Sequence, residues 1–246
     1  VVREAMLSGK KVIAAGPGNP PAVVDETADI GLAARNIVAG ASLDNNIICT
    51  AEKEVIVVSS VADELKRQMV LAGCVEVTGG DIERLCSVIF ESRQGRKGVI
   101  NKKWVGKNAN LILREIGIDA PESTRLVICE VDREHPLPWT EQLMPVMPVV
   151  RVSDVDEAIA LALAYEGGRR HTATMHSRNI EKLSKMARLV NCSIFIKNGP
   201  TFAGLGMGGE GYTSFTIASP TGEGMTSPIS FTRERRCTLV DSFRIV

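Results

Sequence analysis

The chain has 246 residues, enough for one large domain or two small ones with a substantial apolar core. Lys plus Arg balance Asp plus Glu at 29 each, so no overall field favours a nucleic acid or an anionic membrane. No apolar run approaches the roughly 20 residues a bilayer-spanning helix needs, and Val1-Val2-Arg3-Glu4 is not a secretory leader, so the composition reads as a cytosolic globular protein.

In chain order, residues 2–7 read as a helical fragment without an initiator Met, as the back part of a longer protein would begin. Gly16-Pro17-Gly18-Asn19-Pro20-Pro21 fixes an irregular loop, because proline locks φ and glycine frees it. Ile30, Ala33, Ala34, Ile37 and Val38 then trace one face of a helix over 27–39, with Asp25 or Thr27 as its cap. A β-branched strand over 54–59 precedes an amphipathic helix over 62–72 that Gly73 closes. Helices follow over 81–91 and 103–116, the second ending at Gly117, and then a continuous apolar strand over 125–131 of the kind buried on both faces. The proline-rich segment 135–148 leads into a strand at 149–152. A capped helix over 153–165 stops at Gly167-Gly168, and the chain continues as strand 171–175, helix 179–190 and strand 193–196. This alternation predicts an α/β fold with a mostly parallel sheet flanked by helices. Residues 197–230 are glycine-rich and irregular, and 236–246 read as a terminal strand free to pair at an edge or with another chain.

The candidate nucleophile is Cys49, set between the helix-like run and the strand at 54–59. The other thiols, Cys74, Cys86, Cys129, Cys192 and Cys237, fall in apolar patterns and read as reduced core residues, with no CxxC pair and no zinc spacing. A Cys–His hydrolase would need His135, His171 or His176 beside Cys49. His171 and His176 stand at odd spacing and point to opposite faces of a strand, which favours a core or hinge role. The basic cluster Arg93, Arg96, Lys97, Lys102 and Lys103 reads as a solvated face, with binding of a ligand's phosphates as the alternative. The Gly204-x-Gly206-x-Gly208-Gly209 run lacks the strand-turn-helix setting of a dinucleotide fingerprint and is better suited to close backbone approach.

Taken in order, GPGNPP, DNNIICTAEKEVIVV, EQLMPVMPVVRVSDVDEAIALA, HTATMHSRNIEKL, NGPTFAGLG and ASPTGEG resemble the aldehyde dehydrogenase superfamily, in particular its CoA-acylating branch of acetaldehyde and propionaldehyde dehydrogenases associated with bacterial microcompartments. The resemblance covers nearly the whole chain but only the back part of such an enzyme. It implies residues 1–22 as the tail of a dinucleotide-binding domain, 23–230 as the catalytic domain and 231–246 as an oligomerisation strand. It implies Cys49 as the catalytic thiol and Glu141, four residues before Pro145, as the carboxylate that holds the nicotinamide ribose. Gly16 and Gly18 fall at the coenzyme, and Glu223 matches a proton-relaying carboxylate.

Hydrolytic members carry a water-activating glutamate 34 positions before the thiol, where this chain has Ala15. That departure suits transfer of the acyl group to the thiol of coenzyme A, which ionises readily near neutral pH. The implied activity is NAD-dependent conversion of a short-chain aldehyde to acyl-CoA, in a homodimer or homotetramer that could dock a compartment shell through a segment before Val1. A chain lacking the coenzyme-binding front half is expected to be inactive alone. A cysteine hydrolase and a non-catalytic assembly module are the alternatives.

Overall fold

In the computed structural model, which describes residues 1–241, seven parallel strands form one sheet. They are β1 (Pro21–Val24), β2 (Glu54–Val58), β3 (Cys74–Glu76), β6 (Leu126–Glu130), β7 (Val146–Val152), β8 (Thr172–His176) and β9 (Ile194–Lys197), in the order β3-β6-β7-β2-β1-β8-β9. A separate antiparallel hairpin, β4 (Phe90–Gln94) with β5 (Lys97–Ile100), carries part of the basic cluster. The α/β fold with a mostly parallel sheet is as the sequence implies.

Each strand of the centre is buried on both faces, which is why β2 (EVIVV) and β6 (LVICE) read as continuous rather than alternating apolar runs. One face of the sheet, with Ala22, Val24, Val55, Val57, Ile128 and Val149, is covered by α2 (Ile30–Ser42) and α3 (Ser59–Leu71). Ile56, Val150, Val152 and Met175 face the other way, against α6 (Val155–Glu166) and α7 (Ile180–Val190). On that same side α4 (Gly80–Ile89) and α5 (Ala109–Glu115) cover Val127, Cys129 and Val146.

Several boundaries differ from the sequence expectation for identifiable reasons. Asp29, not Asp25 or Thr27, caps α2 by accepting from Leu32 N–H, while Asp25 is tied to Thr27 and Ser177 at the ends of β1 and β8. The helix expected over 103–116 is broken into a short turn at Lys102–Trp104 and α5, because Gly106 takes a left-handed φ of 68° between them. Residues 236–241 form no strand, and the remainder of that expected strand lies outside the described residues. Cys237 is exposed rather than core, whereas Cys74, Cys86 and Cys129 are buried as expected and Cys192 is half-buried. No helix of the described residues is long and apolar enough to cross a membrane.

Gly40 near the end of α2 packs directly on the buried Glu52, and a Cβ there would overlap that carboxylate. Replacing a helical glycine by alanine ordinarily adds up to ~1 kcal/mol of stability. Overlap in a packed interior costs ~1–3 kcal/mol. Gly40→Ala is therefore expected to lower the free energy of urea unfolding, and an increase would show that Glu52 moves aside freely.

Candidate active site

The candidate site lies at the amino ends of the strands. Residues 16–20 run into β1, the Cys49 turn into β2, the Glu141 loop into β7, and His171 immediately precedes β8. Open α/β sheets ordinarily bind ligands beyond the carboxyl ends of their strands. Here those ends hold ion pairs instead, such as Lys66 with Glu76 and Glu130 at 2.8 Å each, and Arg151 with Glu130.

Cys49 is half-buried at the end of an unusual turn. Asp44, Asn45 and Asn46 all take left-handed backbone angles, with φ of 48°, 50° and 63°, a region that Asp and Asn tolerate better than most residues. Three side chains hold them there. Asn45 Nδ2 donates to Gly106 O at 3.0 Å and to Asn108 Oδ1 at 2.8 Å. Asn46 Nδ2 donates to Ala41 O at 2.7 Å and Glu52 O at 2.9 Å. Lys53 Nζ donates to Asn46 O at 2.8 Å, Asn46 Oδ1 at 2.6 Å and Ile48 O at 3.1 Å.

Glu141 approaches from the proline-rich loop. Asn19 Nδ2 donates to Pro138 O at 2.8 Å and Tyr165 O at 3.1 Å, Trp139 stands edge-on to Tyr165 at 4.8 Å, and Gln142 Nε2 donates to Leu137 O at 2.7 Å. The loop is thereby fixed on both sides of Glu141. Gly106 links it to the thiol turn, since its N–H donates to Leu143 O while its carbonyl accepts from Asn45. Glu141 Oε1 in turn accepts from Gly18 N–H at 3.1 Å.

Gly16 and Gly18 make these loops fit together. A Cβ at Gly18 would overlap the Cys49 carbonyl and crowd the His171 ring, and one at Gly16 would lie 2.5 Å from Pro220 Cγ. Beside Gly16, a crevice of about 430 Å³ opens among Pro17, Arg169, Arg170, Ser219 and Gly222. Glu223 follows on the exposed side of that turn, with no hydrogen bond or ion pair among the described residues. The structure thus brings Cys49, Glu141 and Gly18 together and leaves Glu223 outside.

Burial pushes the Cys49 thiol up, and the neighbouring Glu141 carboxylate adds to that; Lys53 and the backbone N–H groups of Cys49 and Thr50 act in the opposite direction. Burial likewise raises Glu141, against the pull of the Gly18 N–H, Lys53 and Arg169. The Lys53 ammonium, wholly buried, is pushed down to about 8 by desolvation.

No imidazole makes a hydrogen bond to Cys49 among the described residues. His171 Nδ1 meets Thr172 Oγ1 at 2.9 Å, His135 Nε2 meets Cys86 Sγ at 3.7 Å, and burial of His176 holds it down at about 4. The Cys–His hydrolase reading is overturned on that geometry. Arg133 pairs with Glu157, so it does not compete for Glu141. The basic cluster is largely a solvated surface, with Arg93 paired to Glu83, Arg96 paired to Glu134 and stacked over Trp139.

The sequence profile of the aldehyde dehydrogenase family matches residues 1–222. The chain belongs to the aldehyde dehydrogenase family. It is 55% identical over 240 residues to an acetylating acetaldehyde dehydrogenase of Salmonella typhimurium, an alignment covering 97% of this chain and 51% of that protein. To a CoA-propanoylating propanal dehydrogenase of the same organism it is 50% identical over 246 residues, covering 100% of this chain and 52% of the other. It superimposes on propionaldehyde dehydrogenase of Rhodopseudomonas palustris with bound propionyl-CoA at a TM-score of 0.92 and 48% identity, covering 97% of this chain and 52% of that one. A propionaldehyde dehydrogenase from the fucose utilisation microcompartment of Clostridium phytofermentans gives 0.92 and 43%, covering 98% and 55%. The chain thus spans about half the length of the curated relatives it matches.

Lys53, Asn46, Glu52 and Asn19 escaped the sequence reading. A signal for them was present: Glu52-Lys53-Glu54 places three charged residues in succession at the head of a strand that is apolar on both faces. All three are buried, and charged residues are rarely fully buried without a task.

Glu52 accepts from Thr201 N at 2.9 Å and Thr201 Oγ1 at 2.8 Å, yet burial raises its carboxyl to about 7. Folding therefore favours the protonated acid. The stability tied to it is present below the ordinary carboxylate range and is lost as pH climbs through about 7. Glu52→Gln is expected to remove that loss, so the melting temperature of the unaltered chain should fall relative to the variant between about pH 5 and about pH 8. Parallel pH profiles for the two would contradict it.

Proposed function

We propose that this chain carries the thiol half of a CoA-acylating aldehyde dehydrogenase, which converts a short-chain aldehyde to an acyl-CoA through a thioester on Cys49. The observation that supports it most is the half-buried Cys49 held against Glu141 by the Gly18 loop, with only an exposed alanine, Ala15, where hydrolytic members carry their water-activating glutamate.

The Cys49 thiolate attacks the aldehyde carbonyl carbon; a C–S bond forms and the carbonyl oxygen takes the negative charge. The backbone N–H of Cys49 is a donor for that oxyanion. Loss of hydride from the tetrahedral carbon leaves a thioester on Cys49. NAD, when bound, supplies the hydride acceptor. Attack by the coenzyme A thiolate breaks the bond to Cys49 Sγ, releases acyl-CoA and regenerates the Cys49 thiolate.

Glu141 suits the coenzyme's ribose, because Gly18 N–H engages only Oε1 and leaves Oε2 to accept from a sugar hydroxyl. Gly16 and Gly18 serve that site by closing the loops against Pro220 and the Cys49 carbonyl. The proton-relaying role of Glu223 rests on the family resemblance alone, the side chain being exposed next to Gly222 of the crevice.

Residues 1–22 are assigned to the tail of the coenzyme-binding domain, 23–230 to the catalytic domain and 231–246 to self-association. Exposed Tyr212, Phe215, Ile229, Phe231, Leu239 and Val240 supply apolar surface for a homodimer or homotetramer. Operation inside a bacterial microcompartment is inferred from the relative named for one.

Incubation with propionyl-CoA tests the reading without a hydride acceptor, because acyl exchange needs only the two thiols. Peptide mass mapping should find the propionyl group on Cys49, and on no other thiol, with none in Cys49→Ala. Equal labelling of Cys237, or none at Cys49, would refute it. In a complete enzyme, Glu141→Gln should weaken NAD-dependent turnover by ~10-fold or more while leaving acyl exchange on Cys49 intact; loss of both would remove Glu141 from the coenzyme role.

A further inference from the structure

Lys53 is 0% exposed, and all three of its ammonium protons are directed at neutral acceptors, two on Asn46 and one on Ile48. No carboxylate lies within ion-pair distance of it among the described residues. This is unusual, since a buried ammonium ordinarily has a counter-ion. The charged and titratable groups that share its surroundings are Glu141, Cys49, Glu54 and Glu52, with His171 in turn feeling its field.

Glu52 is committed to Thr201, and both oxygens of fully buried Glu54 lack any partner, a setting that favours the neutral acid. Glu141, bound by Gly18 through one oxygen, acts most on the ammonium, and Cys49 follows it as a group whose ionisation would give the ammonium a further anion. The sulfur follows Ile48, whose carbonyl Lys53 binds, and the Lys53 N–H itself donates to Pro20 O at 3.0 Å, tying the strand head to the loop that carries Gly18.

We infer that Lys53 is a positioning residue for Cys49: its ammonium clamps the left-handed turn that presents the sulfur and, while protonated, supplies positive charge against which the thiolate forms. This rests on the acyl-transfer reading of Cys49 given above. The charge acts in a poorly solvated site, where a unit charge is worth several-fold more than in water. It acts against the stronger opposing field of Glu141 on the same sulfur. Each element therefore has a distinct part. Asn46 shapes the turn, Lys53 clamps and charges it, and Gly18 lets Glu141 close over it.

The test reads the pH dependence of Cys49 alkylation by iodoacetamide, located by peptide mapping, in the 246-residue chain and in Lys53→Met, whose side chain is similarly long and uncharged. At pH 7, where Lys53 is mostly charged, the Cys49 rate is expected to fall ~10-fold in the variant, with the midpoint of the profile moved to higher pH; one unit of displacement corresponds to that factor. An unchanged midpoint in a variant that melts cooperatively would overturn the inference.

A second measurement needs no variant and holds if Lys53→Met fails to fold. In the unaltered chain, the ratio of the iodoacetate rate to the iodoacetamide rate at Cys49 should fall as pH rises from about 7 to about 9 and Lys53 loses its charge, while that of N-acetylcysteine amide stays level. A ratio at Cys49 that stays level over that range would overturn the inference. Failure of the acyl-transfer reading looks different: Cys49 would then accept no propionyl group from propionyl-CoA, whatever its alkylation profile.

Discussion

A single buried ammonium sets the geometry of the site. Lys53 occupies the point where β2 begins, and its three hydrogen bonds to Asn46 and Ile48 hold the chain in three successive left-handed residues. Without such bonds that backbone path is costly, on the order of 1 kcal/mol or more for each non-glycine residue. The path is what turns the chain sharply between α2 and β2 and leaves Cys49 half-buried at the bend rather than packed in the sheet.

From that bend the other loops follow in sequence of contact. Asn45 reaches Gly106, Gly106 reaches Leu143, and the segment between Leu137 and Leu143 delivers Glu141 to the Gly18 N–H. Asn19, one residue beyond Gly18, ties the same loop to Pro138 and to the end of α6 at Tyr165. The circuit closes at Gly18, where a side chain would strike the Cys49 carbonyl. Because the Gly18, Cys49 and Glu141 segments each lie just before a strand, the site forms at the amino ends of the sheet, and the carboxyl ends are left to ion pairs and to the Asp25–Ser177 contact.

Much of this was legible in the sequence. The continuous apolar runs of β2 and β6, the Gly167 stop of α6, and the alternation of strand and helix each follow from local chemistry, and the structure places them as read, while of the two caps that the sequence allows for α6, Ser153 or Asp154, it uses Asp154. Cys49 and Glu141 were legible only through resemblance, since nothing in spacing alone distinguishes a half-buried thiol from a core one. The contacts that join them were not legible, because Gly106 to Leu143 or Asn19 to Pro138 are long-range pairs without a period. Lys53 could have been singled out from Glu52-Lys53-Glu54 heading a buried strand, where three charges in a row conflict with the apolar pattern around them. The break at Gly106 was missed because residues 103–116 keep a helical apolar spacing across it, while the local structure is decided by the contacts of Gly106 with Leu143 and Asn45.

The lifetime of an acyl group on Cys49, measured in buffer and again with coenzyme A added, tests the central claim most directly, because the claim is that a thiol and not water takes the acyl group away. The account predicts an acyl-Cys49 that persists in buffer and is discharged at once by coenzyme A, and that hydrolyses faster once Ala15→Glu restores a carboxylate. Discharge by water as fast as by coenzyme A in the unaltered chain would contradict it.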